Sequence, residues 1–197
     1  TLQIVGKGAG GHSSMPPIQT AVGVLAEAIS KLEENPMSGE LDGLALAMFD
    51  TTSREMPFTL KMLFANRWLF SGLIESSLAK DPATNAMLRT TTAPTMLSAS
   101  VKTNVLAIEA IATVNFRVHP RDTIGSIFDH VSAVVKDDNV EVRPMAWDGF
   151  GLGQPASAVS SWKSKGYKNI EKSVKNIYGN VIVAPGLMVA ASDSRHY

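Results

Sequence analysis

Cysteine is absent from the 197 residues. Disulfides, thiolate metal sites and cysteine nucleophiles are therefore excluded, and the chain carries no mark of its redox compartment. An excess of one charge is missing too. Eighteen basic residues face eighteen acidic ones, a formal net charge of zero, which removes the electrostatic case for nucleic acid or an anionic membrane. The longest apolar stretch, residues 181–191, contains Pro185 and Gly186 and falls well short of the ~20 residues that a spanning helix needs. Metal-ligand spacing is also lacking. His12, His119, His130 and His196 form no His-x-Asp, His-x-x-x-His or His-Glu-x-x-His pair, so no complete metal site is expected in this chain.

What remains describes a folded chain. With 45% hydrophobic and 18% charged residues it can bury a core, and its length suits one large domain or one and a half small ones. It starts at Thr1, directly in a strand-like segment, which reads as a piece of a longer protein. Residues 2–5 predict a strand. Residues 18–34 predict a helix, with Val22, Leu25, Ile29 and Leu32 on its buried stripe, Pro16 and Pro17 at its start and Asn35-Pro36 at its stop. The segment of about 41–89 is rich in Leu, Met, Ala and Phe and is broken at Pro57, Gly72 and Asp81-Pro82. It reads as an insertion of two to four short helices. Its Met and aromatic side chains serve packing, with an apolar wall for a hydrophobic substrate as the alternative.

Residues 90–100 predict an edge strand, because Pro94 cannot donate to a ladder. Residues 105–118 alternate most clearly, with Leu106, Ile108, Ala110, Ala112, Val114, Phe116 and Val118 on one face and Arg117 on the other. Asp122 or Thr123 can cap a helix whose buried stripe is Ile124, Ile127, Val131 and Val134. A short strand follows at 140–142. Without the insertion, the order is the split β-α-β-β-α-β arrangement, an α+β fold with a four-stranded antiparallel sheet and helices on one face. Residues 1–148 form this domain. Residues 149–197 read as a linker and an incomplete α/β piece, with a helix at 160–178 and a buried strand at 181–183.

The functional signals sit around the first strand and the longest one. Gly6-Lys7-Gly8-Ala9-Gly10-Gly11 formally matches a dinucleotide fingerprint, but no second parallel strand with an acidic end follows. The glycines read instead as a loop whose backbone approaches closely. Gly11-His12-Ser13-Ser14 is no nucleophile elbow, since Met15 stands where that turn needs glycine. His12 is either a solvated loop residue or a catalytic one. Arg117 is either a salt-bridge partner or a clamp for a carboxylate, and Asn104 either a turn residue or part of the same grip. His119 falls in a strand-end turn, and His130 on the outside of the 124–135 helix.

Together, Gly10-Gly11-His12-Ser13-Ser14 with Pro16, Thr103-Asn104-Val105, and Asn115-Phe116-Arg117 with Pro120, Asp122 and Thr123 resemble the lid or dimerisation domain of the aminoacylase/carboxypeptidase family of zinc peptidases. The nearest branch is the carboxypeptidase S and N-acyl amino acid hydrolase group. The tail, Val183-Ala184-Pro185-Gly186-Leu187 and then Ser192-Asp193-Ser194-Arg195-His196-Tyr197, is similar as well. The resemblance implies that His12 stabilises the oxyanion and that Asn104 and Arg117 hold the substrate by its carboxylate. It implies that Arg195 lines the same pocket from the catalytic domain. It implies two zinc ions in the full-length parent, with ligands and general base outside residues 1–197, so that this piece neither binds them nor hydrolyses anything alone.

The substrate so implied is an N-acyl amino acid, or a short peptide cut at its free C-terminal residue. Thirteen residues of straight strand between Asn104 and Arg117 would span about 43 Å at ~3.3 Å per residue. One small substrate could then meet both only in a homodimer whose sites are completed in trans. A non-enzymatic dimerisation or small-carboxylate-binding module on the same fold is the competing reading.

Overall fold

The computed structural model describes residues 1–145 and 153–190. Thr1–Ser38 and Thr90–Ala156 form one compact unit, Gly39–Arg89 and Ser157–Tyr197 a second. In the first unit, β1 (Leu2–Lys7), β3 (Thr91–Ser98), β5 (Glu109–Arg117) and β6 (Val140–Pro144) make a sheet of order β3-β5-β1-β6. Every neighbouring pair in it is antiparallel. Helices α1 (Ala21–Glu34) and α6 (Ile124–Val134) complete the expected β-α-β-β-α-β arrangement. The core joins Leu2 and Ile4 to Ala110, Ala112, Val114 and Phe116 of the sheet, and to the buried faces of both helices. The alternation read in β5 is therefore the alternation buried.

The first helix starts later and faces differently than its periodicity predicts. Thr20, not the proline pair, caps it, its hydroxyl accepting from the Gly23 N–H at 3.2 Å. The buried side is Ala21, Val24, Leu25, Ala28 and Leu32, while Val22 is half exposed and Ile18 fully so. The physical reason lies in β1. A Cβ on Gly6 would stand 2.6 Å from the Ala21 carbonyl oxygen and 2.8 Å from the Leu25 nitrogen. The helix lies directly on the strand's backbone, so the small Ala21 and Ala28 face inward. Gly6→Ala should cost about 1–3 kcal/mol, because backbone on both sides must move to admit the methyl. A chemical denaturation midpoint unchanged by that substitution would refute the close approach.

The helix α6 is capped reciprocally, Ser126 N–H to Thr123 Oγ1 and Thr123 N–H to Ser126 Oγ, both at 3.0 Å. Ile127 and Val131 are buried, while Ile124 and Val134 are half-buried. His130 is not a plain surface residue: half-buried, it bonds through Nε2 to the Asn35 carbonyl at the end of α1, at 2.9 Å. Strand β3 is an edge strand as expected. Its register slips between Pro94 and Met96, and the Thr95 hydroxyl donates to the Thr113 carbonyl at 3.2 Å beside the bulge.

On the other face of the sheet, charges link three strands. Lys7 meets Glu141 at 2.6 Å, and Arg143 meets Glu141 at 2.7 Å and Glu109 at 2.9 Å. Hydrogen bonds from Arg143 first, then from Lys7, hold the Glu141 carboxyl at about 2, below its ordinary 4.5. A depressed carboxyl contributes stability above its unfolded pKa and loses it as pH falls through the folded one. Glu141→Gln should therefore flatten the melting-temperature profile between pH 4.5 and pH 2. The change should be small, because exposed pairs are weak; an unaltered acid limb would contradict it.

The second unit contains the insertion as four helices, α2 (Gly43–Thr52), α3 (Phe58–Ala65), α4 (Arg67–Leu78) and α5 (Pro82–Leu88). Phe49, Phe64 and Ile74 form its small core, with the two rings stacked at 5.3 Å. Arg67 pairs with Asp50, and the Leu41 N–H donates to Glu75 at 3.0 Å. Asp81 caps α5 through the Ala83 and Thr84 N–H groups, both at 3.0 Å. Packing thus accounts for part of the apolar residues, whereas Phe58 and Trp68 are largely exposed.

Helix α7 (Lys165–Tyr178) begins after the Ser164 cap rather than at 160, and none of its residues is buried. Val181–183 does not form the expected strand. No strand among the described residues of this unit offers a ladder; instead the Val181 N–H bonds the Gly179 carbonyl at 2.9 Å and the Tyr167 hydroxyl donates to the Val183 carbonyl at 3.3 Å.

Candidate functional site

The glycine-rich loop after β1 ends in β2 (Gly11–His12), which pairs with β4 (Val105–Leu106) in a separate two-stranded ladder. His12 stands opposite Val105, and the Ser13 N–H donates to the Asn104 carbonyl at 3.1 Å. Two residues 92 positions apart, His12 and Asn104, are thereby held on adjoining turns of one ladder. Both are exposed.

The imidazole is oriented locally. Ser14 presents its N–H to His12 Nδ1 at 3.2 Å, and its hydroxyl lies 2.8 Å from the same nitrogen. A ring nitrogen that accepts from a backbone N–H carries no proton in the neutral imidazole, so the proton is on Nε2. Ser14 is a residue that the sequence reading passed over as a site member. Its signal was the His-x-Ser spacing, which lets a short side chain and its own N–H reach back to the ring.

The strand expected at 105–118 is not one uninterrupted strand but β4 and β5. The ladder breaks between Leu106 and Glu109, where Ile108 is 69% exposed rather than buried. The Gly8 N–H donates to the Ile108 carbonyl at 2.9 Å, one step beyond the Lys7–Glu109 pair of the β1–β5 ladder, and the register has moved by one residue at the Gly11–Leu106 pair. The 43 Å span is therefore corrected. The two ends remain apart: Asn104 precedes β4, and Arg117 is the last residue of β5, eight steps and about 26 Å beyond Glu109 at ~3.3 Å per step. Arg117 pairs in register with Thr91 and is exposed. His119 lies in a turn, as its Pro120 suggests, and is buried, with the Asp122 N–H donating to its carbonyl at 2.9 Å.

Arg195 and His196 lie outside the described residues. Among the described residues, no group of three or more His, Asp or Glu could hold a metal ion. No helix among them is long and apolar enough to cross a membrane. Cavities among the described residues include one of about 250 Å³ lined by Glu40, Arg67, Trp68 and Glu75, and another of about 380 Å³ between α6 and β6. Neither is lined by His12, Asn104 or Arg117. All three side chains are exposed.

Residues 1–143 match the Peptidase dimerisation domain family. Probable carboxypeptidase S-like 2 of Dictyostelium discoideum is 43% identical over 188 residues, covering 95% of this chain and 35% of that protein. An N-fatty-acyl-amino acid synthase/hydrolase of Xenopus tropicalis is 39% identical over 188 residues, covering 95% of this chain and 36% of that protein. The chain thus spans about a third of the length of these curated relatives. A metallo-carboxypeptidase of the M20 family from Sulfolobus solfataricus shares the fold, with a TM-score of 0.51 at 19% identity over 97% of this chain and 52% of its own. This chain belongs to the M20 peptidase family, on its carboxypeptidase S and N-acyl amino acid hydrolase branch, and carries the family's dimerisation domain.

Proposed function

We propose that residues 1–148 are the lid and dimerisation domain, and residues 149–197 a linker and fragment of the catalytic domain, of a metallo-hydrolase. The parent cleaves N-acyl amino acids, or short peptides at a free C-terminal residue. The observation that carries this reading is the division of one surface. An oriented histidine and Asn104 adjoin each other at the β2–β4 ladder, ahead of β5, and an exposed arginine stands at the end of β5. Arg117 grips the substrate carboxylate with two parallel N–H···O bonds, which a lysine could not reproduce. Asn104 holds the substrate beside it, and Arg195 lines the pocket from the catalytic fragment. His12 offers Nε2–H to the oxygen that becomes negative when the carbonyl is attacked.

On this reading two zinc ions and the general base belong to the parent outside residues 1–197. Bound there, they supply an activated water.

The same division supports a homodimer. Of the two sheet edges, β6 is short and carries Glu141 and Arg143, which discourage pairing. Strand β3 has eight residues, and its Met96 and Leu97 are 66% and 68% exposed. A twofold axis at the β3 edge reverses the strand direction in the second copy. The start of β5 in one protomer then comes to the same side as the end of β5 in the other.

The test is specific to the carboxylate. In the full-length parent, Arg117→Ala should raise KM for an N-acyl amino acid about 10- to 100-fold, since bonds to charged groups are worth about 1.5–3 kcal/mol. It should leave the weak activity on the matching C-terminal carboxamide unchanged. Equal losses on both substrates would remove the carboxylate grip. A parent without hydrolytic activity would favour the non-enzymatic carboxylate-binding or dimerisation module.

A further inference from the structure

We infer that Thr90 and Asp122 are positioning residues that aim Arg117. The inference rests on reading Arg117 as the carboxylate grip. Thr90 immediately precedes β3, is 1% exposed, and is among the largest fully buried side chains in the molecule. A buried hydroxyl needs partners, because an unmade bond in the interior costs its full desolvation. Thr90 has them on both sides. Its Oγ1 accepts the His119 N–H at 2.8 Å and donates to an Asp122 carboxylate oxygen.

Both partners belong to one turn. The Asp122 N–H closes on the His119 carbonyl at 2.9 Å, and the Arg121 N–H on His119 Nδ1 at 3.3 Å. Pro120 occupies the second position, where its fixed φ suits a turn.

The consequence falls on the residue upstream. Arg117 is paired in register with Thr91, next to Thr90, and Val118 packs against the core. The turn at 119–122 is then tied back to Thr90. The backbone that carries the arginine is thus fixed from the strand side and from the turn side by one threonine. This matters only if the guanidinium has a target. Two parallel bonds to a carboxylate demand placement within about 0.5 Å, and a long exposed side chain reaches that only from a fixed root. A salt-bridge arginine on a sheet face has no such need. Thr90 was legible in the sequence only as one of three threonines in a row, and its burial and two-sided bonding appear only in the fold.

The experiment uses the full-length parent, metal included, with an N-acyl amino acid as substrate. Thr90→Val keeps the volume and removes both bonds. KM should rise about 5- to 20-fold, a partial loss of the Arg117 contribution, with kcat within about twofold, the pattern of lost uniform binding. Thr90→Ser keeps the oxygen and should return KM to within about twofold of wild type. Asp122→Ala, on the half-buried turn, cuts one bond and should move KM in the same direction by less; it serves if the valine variant does not fold.

The decisive readout is the double variant. With Arg117→Ala present, Thr90→Val should raise KM no further, because a residue that acts through another has nothing left to aim. If Thr90→Val lowers only the melting temperature, or raises KM equally in both backgrounds, the positioning role is wrong while the arginine grip stands. If Arg117→Ala itself leaves KM unchanged, both fall.

Discussion

Mixing His12→Ala and Arg117→Ala forms of the full-length parent under subunit-exchange conditions is expected to restore about a quarter of wild-type active sites. Neither variant should approach this alone. Loss of an oxyanion donor costs about 10²–10³ in kcat, and loss of the carboxylate grip raises KM. In a heterodimer with sites completed in trans, one site takes the intact Arg117 of one protomer and the intact His12 of the other. The second site takes both defects. Random exchange makes half the dimers heterodimeric, and half of their sites are intact. The reason to expect trans completion is the broken ladder. His12 and Asn104 adjoin in one chain at the β2–β4 ladder, ahead of β5, and Arg117 ends β5 about 26 Å beyond its first residue, Glu109. No N-acyl amino acid of ordinary reach between its carbonyl and carboxylate bridges that distance. If exchange is verified by mass and the mixture stays inactive, the three residues act within one protomer or not at all.

How much of this was readable from residue order differs by element. The alternation of Ala110, Ala112, Val114 and Phe116 fixed one face of β5, and burial follows it residue by residue. Pro94 placed β3 at the edge, and the choice of Asp122 or Thr123 as cap placed the start of α6 to within a residue, Thr123 being the cap. Periodicity misled at two places where backbone, not side chains, decides. The stripe of α1 turned toward Ala21 because Gly6 and Gly8 admit the helix onto the strand, and a pattern that scores apolar side chains gives glycine no weight. Leu106 and Ile108 continued the alternation of β5 on paper, yet the pairing register moves by one residue between Gly8–Ile108 and Gly11–Leu106, and Ile108 is exposed. The candidate site was legible as residue types: a histidine among glycines, an asparagine before a strand, an arginine at its polar face. Which of them adjoin was not, because the β2–β4 pairing has only two residues on each side. The Ser14 and Thr90 contacts were hidden for the same reason, being single hydroxyls whose partners the fold selects.

Phe64→Ala is expected to melt the insertion while leaving the sheet unit folded. The change removes one of two stacked rings from a cluster whose buried members are Phe49, Phe64 and Ile74. Truncating a buried phenylalanine typically costs about 3–5 kcal/mol. A segment of about fifty residues held by so few buried side chains has little more than that to lose. The sheet unit has its own core, in which none of these three residues takes part. Limited proteolysis of the full-length variant should therefore cut within residues 43–88, while β1, β5 and α6 stay protected. Resistance equal to wild type would mean that the insertion draws its stability from contacts beyond its own core. The same variant separates two roles for the segment. If KM for an acetylated amino acid holds while KM for a long-chain acyl substrate rises, the exposed Phe58 and Trp68 belong to an apolar wall for the acyl group. If both hold, the insertion serves packing alone, and the carboxylate grip at Arg117 works without it.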